Sequence, residues 1–149
     1  MFWFRLFCED FMTVVKKVKE FHVLLVDDDV TFLDTLEELV FDELSTSARI
    51  LRATDGSEAL KKISNQVFDL IITDNNMPKI EGLDLVKILR DDGLNGGERK
   101  DIPVIFISGN LHDFQVSDAL GLGVTNILVK PIDPERFKKS LRQILKIAN

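Results

Sequence analysis

The chain has 149 residues, near the prior of about 150 per domain, and its 45% hydrophobic and 30% charged residues suit one ordinary globular domain. Its 25 acidic residues outnumber 19 basic ones, for a net charge of −6, which argues against a concentrated basic surface and so against direct binding of nucleic acid. Cys8 is the only cysteine, which excludes a disulfide framework and a cysteine-based zinc site.

The N-terminus opens on Met1, Phe2, Trp3 and Phe4, but Arg5, Glu9 and Asp10 interrupt it before a signal-peptide core could form. No stretch approaches the roughly 20 uncharged apolar residues of a membrane span. No export signal is read, and the chain is expected to be cytoplasmic. Residues 1–20 stand apart as an N-terminal extension, expected to be helical because Phe4, Phe7, Phe11, Val15 and Val18 form one stripe. The plain reading is an extra helix packed on a domain spanning 21–149, or a frayed extension of it. A partner- or membrane-surface helix competes with it, although the lysines cluster only at 16, 17 and 19. Met12 is an alternative natural start.

From residue 21 short apolar runs alternate with helical patterns. The runs are 21–26, 48–53, 68–73, 103–107 and 127–129. Four are largely continuous, as expected of strands covered on both faces of a parallel sheet. The run 48–53 is broken by Arg49 and Arg52 and reads as an edge strand. Leu33, Leu36, Val40 and Leu44 give the first helix its apolar stripe. Asp55 and Glu58 predict a capping box ahead of Ala59, Leu60 and Ile63 in the second. Leu83, Val86 and Leu89 mark the third, and residues 113–120 the fourth, ending near Gly121 and Gly123. The last begins at Pro134 and carries Phe137, Leu141, Ile144 and Leu145. Such alternation predicts a doubly wound α/β domain with a parallel sheet.

Polar residues collect where the strands end: Asp27, Asp28 and Asp29 after the first, Asp74 after the third, Ser108 after the fourth and Lys130 after the fifth. In open α/β sheets ligands bind outside the carboxyl ends of the strands, where the strand order reverses, so these distant residues are expected in one crevice. Several carboxylates at close quarters raise one another's pKa or recruit a cation. With oxygen ligands and no Cys or His nearby, the fitting ion is Mg²⁺, or Mn²⁺ in its place. Magnesium binds through one or two carboxylates, which leaves an acid free to take a phosphoryl group as an aspartyl-phosphate. Lys130, Ser108 and backbone N–H groups could then hold the charge that spreads over the phosphoryl oxygens. Asn75, Asn76, Met77 and Pro78 read as a loop that exposes Asp74 and can turn a backbone carbonyl toward the metal.

These residues resemble the signatures of response-regulator receiver domains: Leu24 to Asp29 (LLVDDD), Ile71 to Pro78 (IITDNNMP) with Gly82, Pro103 to Gly109 (PVIFISG) and Val129 to Pro131 (VKP). The resemblance covers about residues 21–147 and rests on four ordered motifs. It implies a flavodoxin-like doubly wound, five-stranded parallel sheet of order 2-1-3-4-5. It further implies that Asp74 is the phosphoacceptor and that Asp27 and Asp28 form the metal-binding pair, Asp28 the more direct ligand. The Asn76 carbonyl would complete the protein's share of the metal shell. Ser108 would close on the phosphoryl group, and Lys130 would pair with one of its oxygens. The Lys130–Pro131 bond is expected to be cis. The implied donor is a sensor histidine kinase or a phosphotransfer protein, and the implied output surface is about residues 112–147, signalling to a protein target.

Three departures stand out. Asp29 adds a third acid, Ile127 replaces the family's common Tyr or Phe, and Gly109 leaves the crevice open. His22 and His112 have no matching partners. No output domain is expected beyond residue 149, and with it a stand-alone receiver that catalyses only its own phosphorylation and dephosphorylation is expected. Two competing readings exist. A degenerate receiver would act as a phosphorylation-independent binding module. A haloacid-dehalogenase-like phosphatase would use Asp27 as nucleophile and Asp29 as acid/base within a DxDxT pattern, but its lysine should precede the later acidic motif.

Overall fold

A computed structural model of the chain describes residues 19–91, 100–110 and 116–148. Most of the 1–20 extension, with Cys8 and Met12, lies outside the described residues, as do His112 and the start of the expected fourth helix. The elements run β1 (Phe21–Val26), α1 (Val30–Leu44), β2 (Ala48–Ala53), α2 (Gly56–Asn65), β3 (Leu70–Asp74), α3 (Gly82–Arg90), β4 (Val104–Ser108), α4 (Val116–Gly121), β5 (Asn126–Val129) and α5 (Pro134–Leu145). All strand pairs are parallel, in the order β2-β1-β3-β4-β5. That is the order expected from the sequence.

Alternation along each strand divides the core in two. Val23, Leu25, Leu70, Ile72, Ile105 and Ile107 face Leu33, Leu36 and Val40 of α1 and Phe137 and Leu141 of α5. Leu24, Val26, Ile71, Val104 and Phe106 face Ala59 and Ile63 of α2, Leu85, Val86 and Leu89 of α3, and Ala119 of α4. Both faces are covered, so the inner strands read as continuous apolar runs. β2 lies at the edge, as its arginines predicted; Arg52 turns outward to pair with Asp34 and Glu37 of α1.

Two strands end later than their polarity suggested. β3 covers 70–74 instead of 68–73 and β4 covers 104–108 instead of 103–107, because Asp74 still pairs with Ile107 and Ser108 with Val129 in the ladders. Main-chain pairing sets a strand's end, whatever the side chain's polarity. On α3, Val86 and Leu89 are fully buried as expected and Leu85 joins them, while Leu83 packs against the core's margin.

Three helix starts carry aspartate caps. Asp29 accepts the N–H of Phe32 and Asp133 that of Arg136. Asp55 accepts the N–H of Glu58 at 2.8 Å, while the Glu58 carboxylate accepts from Thr54 N, also at 2.8 Å. The reciprocal bond of the predicted capping box is thus displaced by one residue. At the other end of α3, Arg90 donates to the carbonyls of Leu122 and Ile102, tying that helix to the turn before β5.

The β3–α3 loop is pinned by close backbone approach. Gly82 N donates to Asn75 O at 2.9 Å, and a Cβ on Gly82 would overlap the Asp74 carbonyl oxygen and lie 2.9 Å from the Phe106 ring. Gly56 meets Ile80 of the same loop in a similar way. Lys79, at φ 69°, reaches Asp55 with its ammonium at 2.9 Å. Gly82→Ala should therefore force the loop outward at a cost of about 2 kcal/mol, as overpacking of a tight site does. A thermal melt followed by circular dichroism should fall by about 8 °C. A melt unchanged within about 2 °C would show instead that α3 can move away freely.

Candidate functional site

The strand order makes β1 and β3 neighbours, so the acids that end them meet. Asp27 follows β1, and its N–H continues the ladder to Ala53 O at 3.1 Å. Asp74 is the last residue of β3. Asp27 is 1% exposed and Asp74 7%, two carboxylates almost without water. Asp28 lies beside them but is exposed. One carboxylate oxygen from each of Asp27, Asp28 and Asp74 falls within 4.8 Å of the others.

Lys130 comes from the far edge of the sheet. Its N–H donates to Ser108 O at 2.8 Å, anchoring the base of the side chain at the end of β4, and the Lys130–Pro131 bond is cis. The ammonium lies 2.9 Å from Asp27 Oδ2 and 3.6 Å from Asp74 Oδ2. It serves both acids, Asp27 more closely. Burial opposes the charge on Lys130, but the hydrogen bond and charge of Asp27, then Asp74, leave its pKa above that of an ordinary lysine.

Asp74 is shifted upward. Burial is the chief cause; the Lys130 ammonium pulls the other way, and the negative Asp27 adds to the rise. The backbone N–H groups of Asn75 and Asn76 offset part of it, that of Asn75 at 2.8 Å from Oδ1.

The remaining residues divide. Ser108 ends β4 and is buried, but its hydroxyl donates to Asn110 O at 2.9 Å and accepts from Asn110 N at 3.3 Å, so it is turned into its own loop. Asn76 is exposed in the β3–α3 loop. Asp29 lies outside the acidic group: its N–H donates to Asp27 Oδ1 at 2.9 Å while its carboxylate caps α1. The second acid of a DxDxT phosphatase is thereby committed to a helix end. Ile127 is half-buried, against the core on the α3 side.

Sequence reasoning missed Asn75. It is buried, and its side-chain oxygen accepts the N–H of Leu83 at 3.1 Å, capping α3 from eight residues upstream. The residue at the helix boundary, Glu81, makes no side-chain cap. A local spacing rule looks three residues ahead, so this cap leaves no signal in the pattern.

The donor set consists of carboxylates, which suits a hard divalent cation. Three carboxylates and one ammonium leave an excess of negative charge that such an ion would neutralise. Among the described residues no helix is long and apolar enough to cross a membrane.

Comparisons with known proteins agree with this geometry. The family model of the response regulator receiver domain matches residues 23–142. The chain is 37% identical over 128 residues to the chemotaxis protein CheY1 of Helicobacter pylori, covering 83% of this chain and 95% of that protein. The solved structure of the chemotaxis response regulator CheY4 of Vibrio cholerae superposes with a TM-score of 0.71 at 29% identity, over 85% of this chain and 99% of that one. A putative response regulator from Chloroflexus aurantiacus gives 0.73 at 28% identity, over 86% and 99%.

Because the folded pKa of Asp74 is raised, the folded state holds its proton more tightly than the unfolded chain does. The group therefore favours folding below its folded pKa, and that contribution is lost as the pH rises through it. Asp74→Asn mimics the neutral carboxyl. In metal-free buffer at about pH 7 it should melt about 2–5 °C above wild type, with the gap closing toward about pH 4. A gap that stays constant across that range would refute the assignment of the shift to Asp74.

Proposed function

The chain belongs to the response regulator receiver domain family, and from that premise we propose that Asp74 accepts a phosphoryl group from the phosphohistidine of a sensor kinase or phosphotransfer protein. The observation that carries the reading is the pairing of buried Asp74 with Asp27, Asp28 and Lys130 in one crevice. Asp27 and Asp28 hold a divalent cation, Mg²⁺ or Mn²⁺, together with Asp74 and the backbone carbonyl of Asn76. When bound, that ion supplies positive charge for the phosphoryl oxygens.

The protein's own groups do the rest. Lys130 already lies between Asp27 and Asp74 and needs only a small shift to follow charge that appears on Asp74. The N–H groups of Asn75 and Asn76 point at the same carboxylate. Ser108 closes on the phosphoryl group by exchanging its bonds to Asn110 for a phosphoryl oxygen. Two arrangements of one hydroxyl, biased by one added charge, make a switch of the population-shift kind. Chemistry of this kind is confined to the chain's own phosphorylation and dephosphorylation.

The output is a protein contact on the face built by α4, β5 and α5, about residues 112–147. Val116, Leu120 and Val129 support this assignment, because they expose apolar surface there. The acidic balance supports a protein target over nucleic acid.

Beryllium fluoride mimics a phosphoryl group on a carboxylate and tests the reading by amide NMR. With Mg²⁺ present, the wild type should show shifts around the crevice and on α4 and β5. Asp74→Asn should show none, and wild type without Mg²⁺ should show none. A folded wild type that ignores beryllium fluoride in Mg²⁺ would favour a phosphorylation-independent binding module.

A further inference from the structure

The Lys130 ammonium has a third neighbour beside its two acids: it lies 4.0 Å from the centroid of the Phe32 ring. Phe32 stands in the first turn of α1, and its N–H donates to Asp29, whose own N–H donates to Asp27. The backbone that carries the ring is therefore set by the same turn that places Asp27. It is half-buried, and beside it lies an apolar depression lined by Thr35, Leu39, Gly109, Pro131 and Ile132. Nothing in that lining is acidic, so no other side chain there draws the ammonium away from the crevice.

We propose that Phe32 is a positioning residue for phosphoryl transfer at Asp74: the face of its ring holds the Lys130 ammonium over the crevice. The inference rests on the function proposed above for Asp74. A lysine carries its charge on a flexible four-carbon stem, so its direction has to be set from outside. The base of this stem is set by the bond to Ser108 O, and the tip by Asp27, Asp74 and the ring. An aromatic face suits the third position because it attracts a cation without adding a full negative charge. A carboxylate there would compete with the phosphoryl oxygens for Lys130. An aliphatic side chain would let the ammonium swing outward over Gly109, which has no side chain to stop it.

The test uses the full chain labelled by phosphoramidate at saturating Mg²⁺, in a double-mutant cycle with Lys130. Phe32→Leu should slow labelling of Asp74 about five-fold, which is about 1 kcal/mol of barrier and within the range of a cation over an aromatic ring. Phe32→Trp should keep the wild-type rate. In the Lys130→Ala background, Phe32→Leu should change the rate less than about two-fold. A second measurement needs no turnover. The Lys130 ε-methylene protons should be ring-shifted in wild-type NMR spectra, keep that displacement in Phe32→Trp, and lose it in Phe32→Leu. Equal losses with and without Lys130, or an unshifted methylene in wild type, would overturn the role of Phe32 while leaving Asp74 as phosphoacceptor. A wild type that takes no label on Asp74 would overturn both.

Discussion

The carboxylates of Asp27 and Asp74 end two adjacent strands, both nearly closed to water, and a single ammonium, that of Lys130, faces them both. Two charges of one sign at such a place are costly unless partners compensate them. The architecture of the crevice follows from that requirement. The strand order brings the acids together. β5 sends Lys130 back across the ends of β4 and β3, and the turn after β1 gives Asp27 a backbone N–H. Burial, and after it the charge of Asp27, still hold the Asp74 carboxyl above the usual carboxylate range against the pull of Lys130. The excess of negative charge in the crevice is what would draw a divalent cation to the proposed site.

The sheet can carry this because its own stability lies elsewhere. Both faces are packed with fully buried apolar residues, while the buried polar groups of the described residues, Ser140 of α5 apart, gather at the carboxyl end. The β3–α3 loop then holds the crevice's shape through contacts rather than burial: Gly82 against the Asp74 carbonyl, Gly56 against Ile80, Asn75 under α3, and Lys79 on Asp55. Arg90 links the far end of α3 to the turn before β5. The crevice and the α4–β5 face are thus joined by one helix with a fixed attachment at each end.

Much of this was legible in the sequence, for a physical reason. Strands buried on both faces must be apolar throughout, and polar residues at the carboxyl ends of several such strands converge in this architecture, so Asp27, Asp28, Asp74 and Lys130 announced a shared crevice. What stayed hidden depends on three-dimensional distance. Asp74 and Ser108 looked like loop residues because their side chains are polar, yet their backbones complete the ladders to β4 and β5. Asn75 caps a helix from beyond the reach of any local rule. Phe32 falls outside the fully buried stripe of α1 and looks like an ordinary half-exposed aromatic until β5 brings Lys130 over its ring.

The central claim is that the reactive acid in this crevice is Asp74, with its neighbours holding charge. The direct measurement is peptide-level mass spectrometry after treating the chain with a small phosphodonor in Mg²⁺, under conditions that preserve acyl phosphates. The account predicts the label on Asp74 alone, and none when Mg²⁺ is withheld. Label on Asp27, or a folded chain that stays unlabelled with Mg²⁺ present, would contradict it.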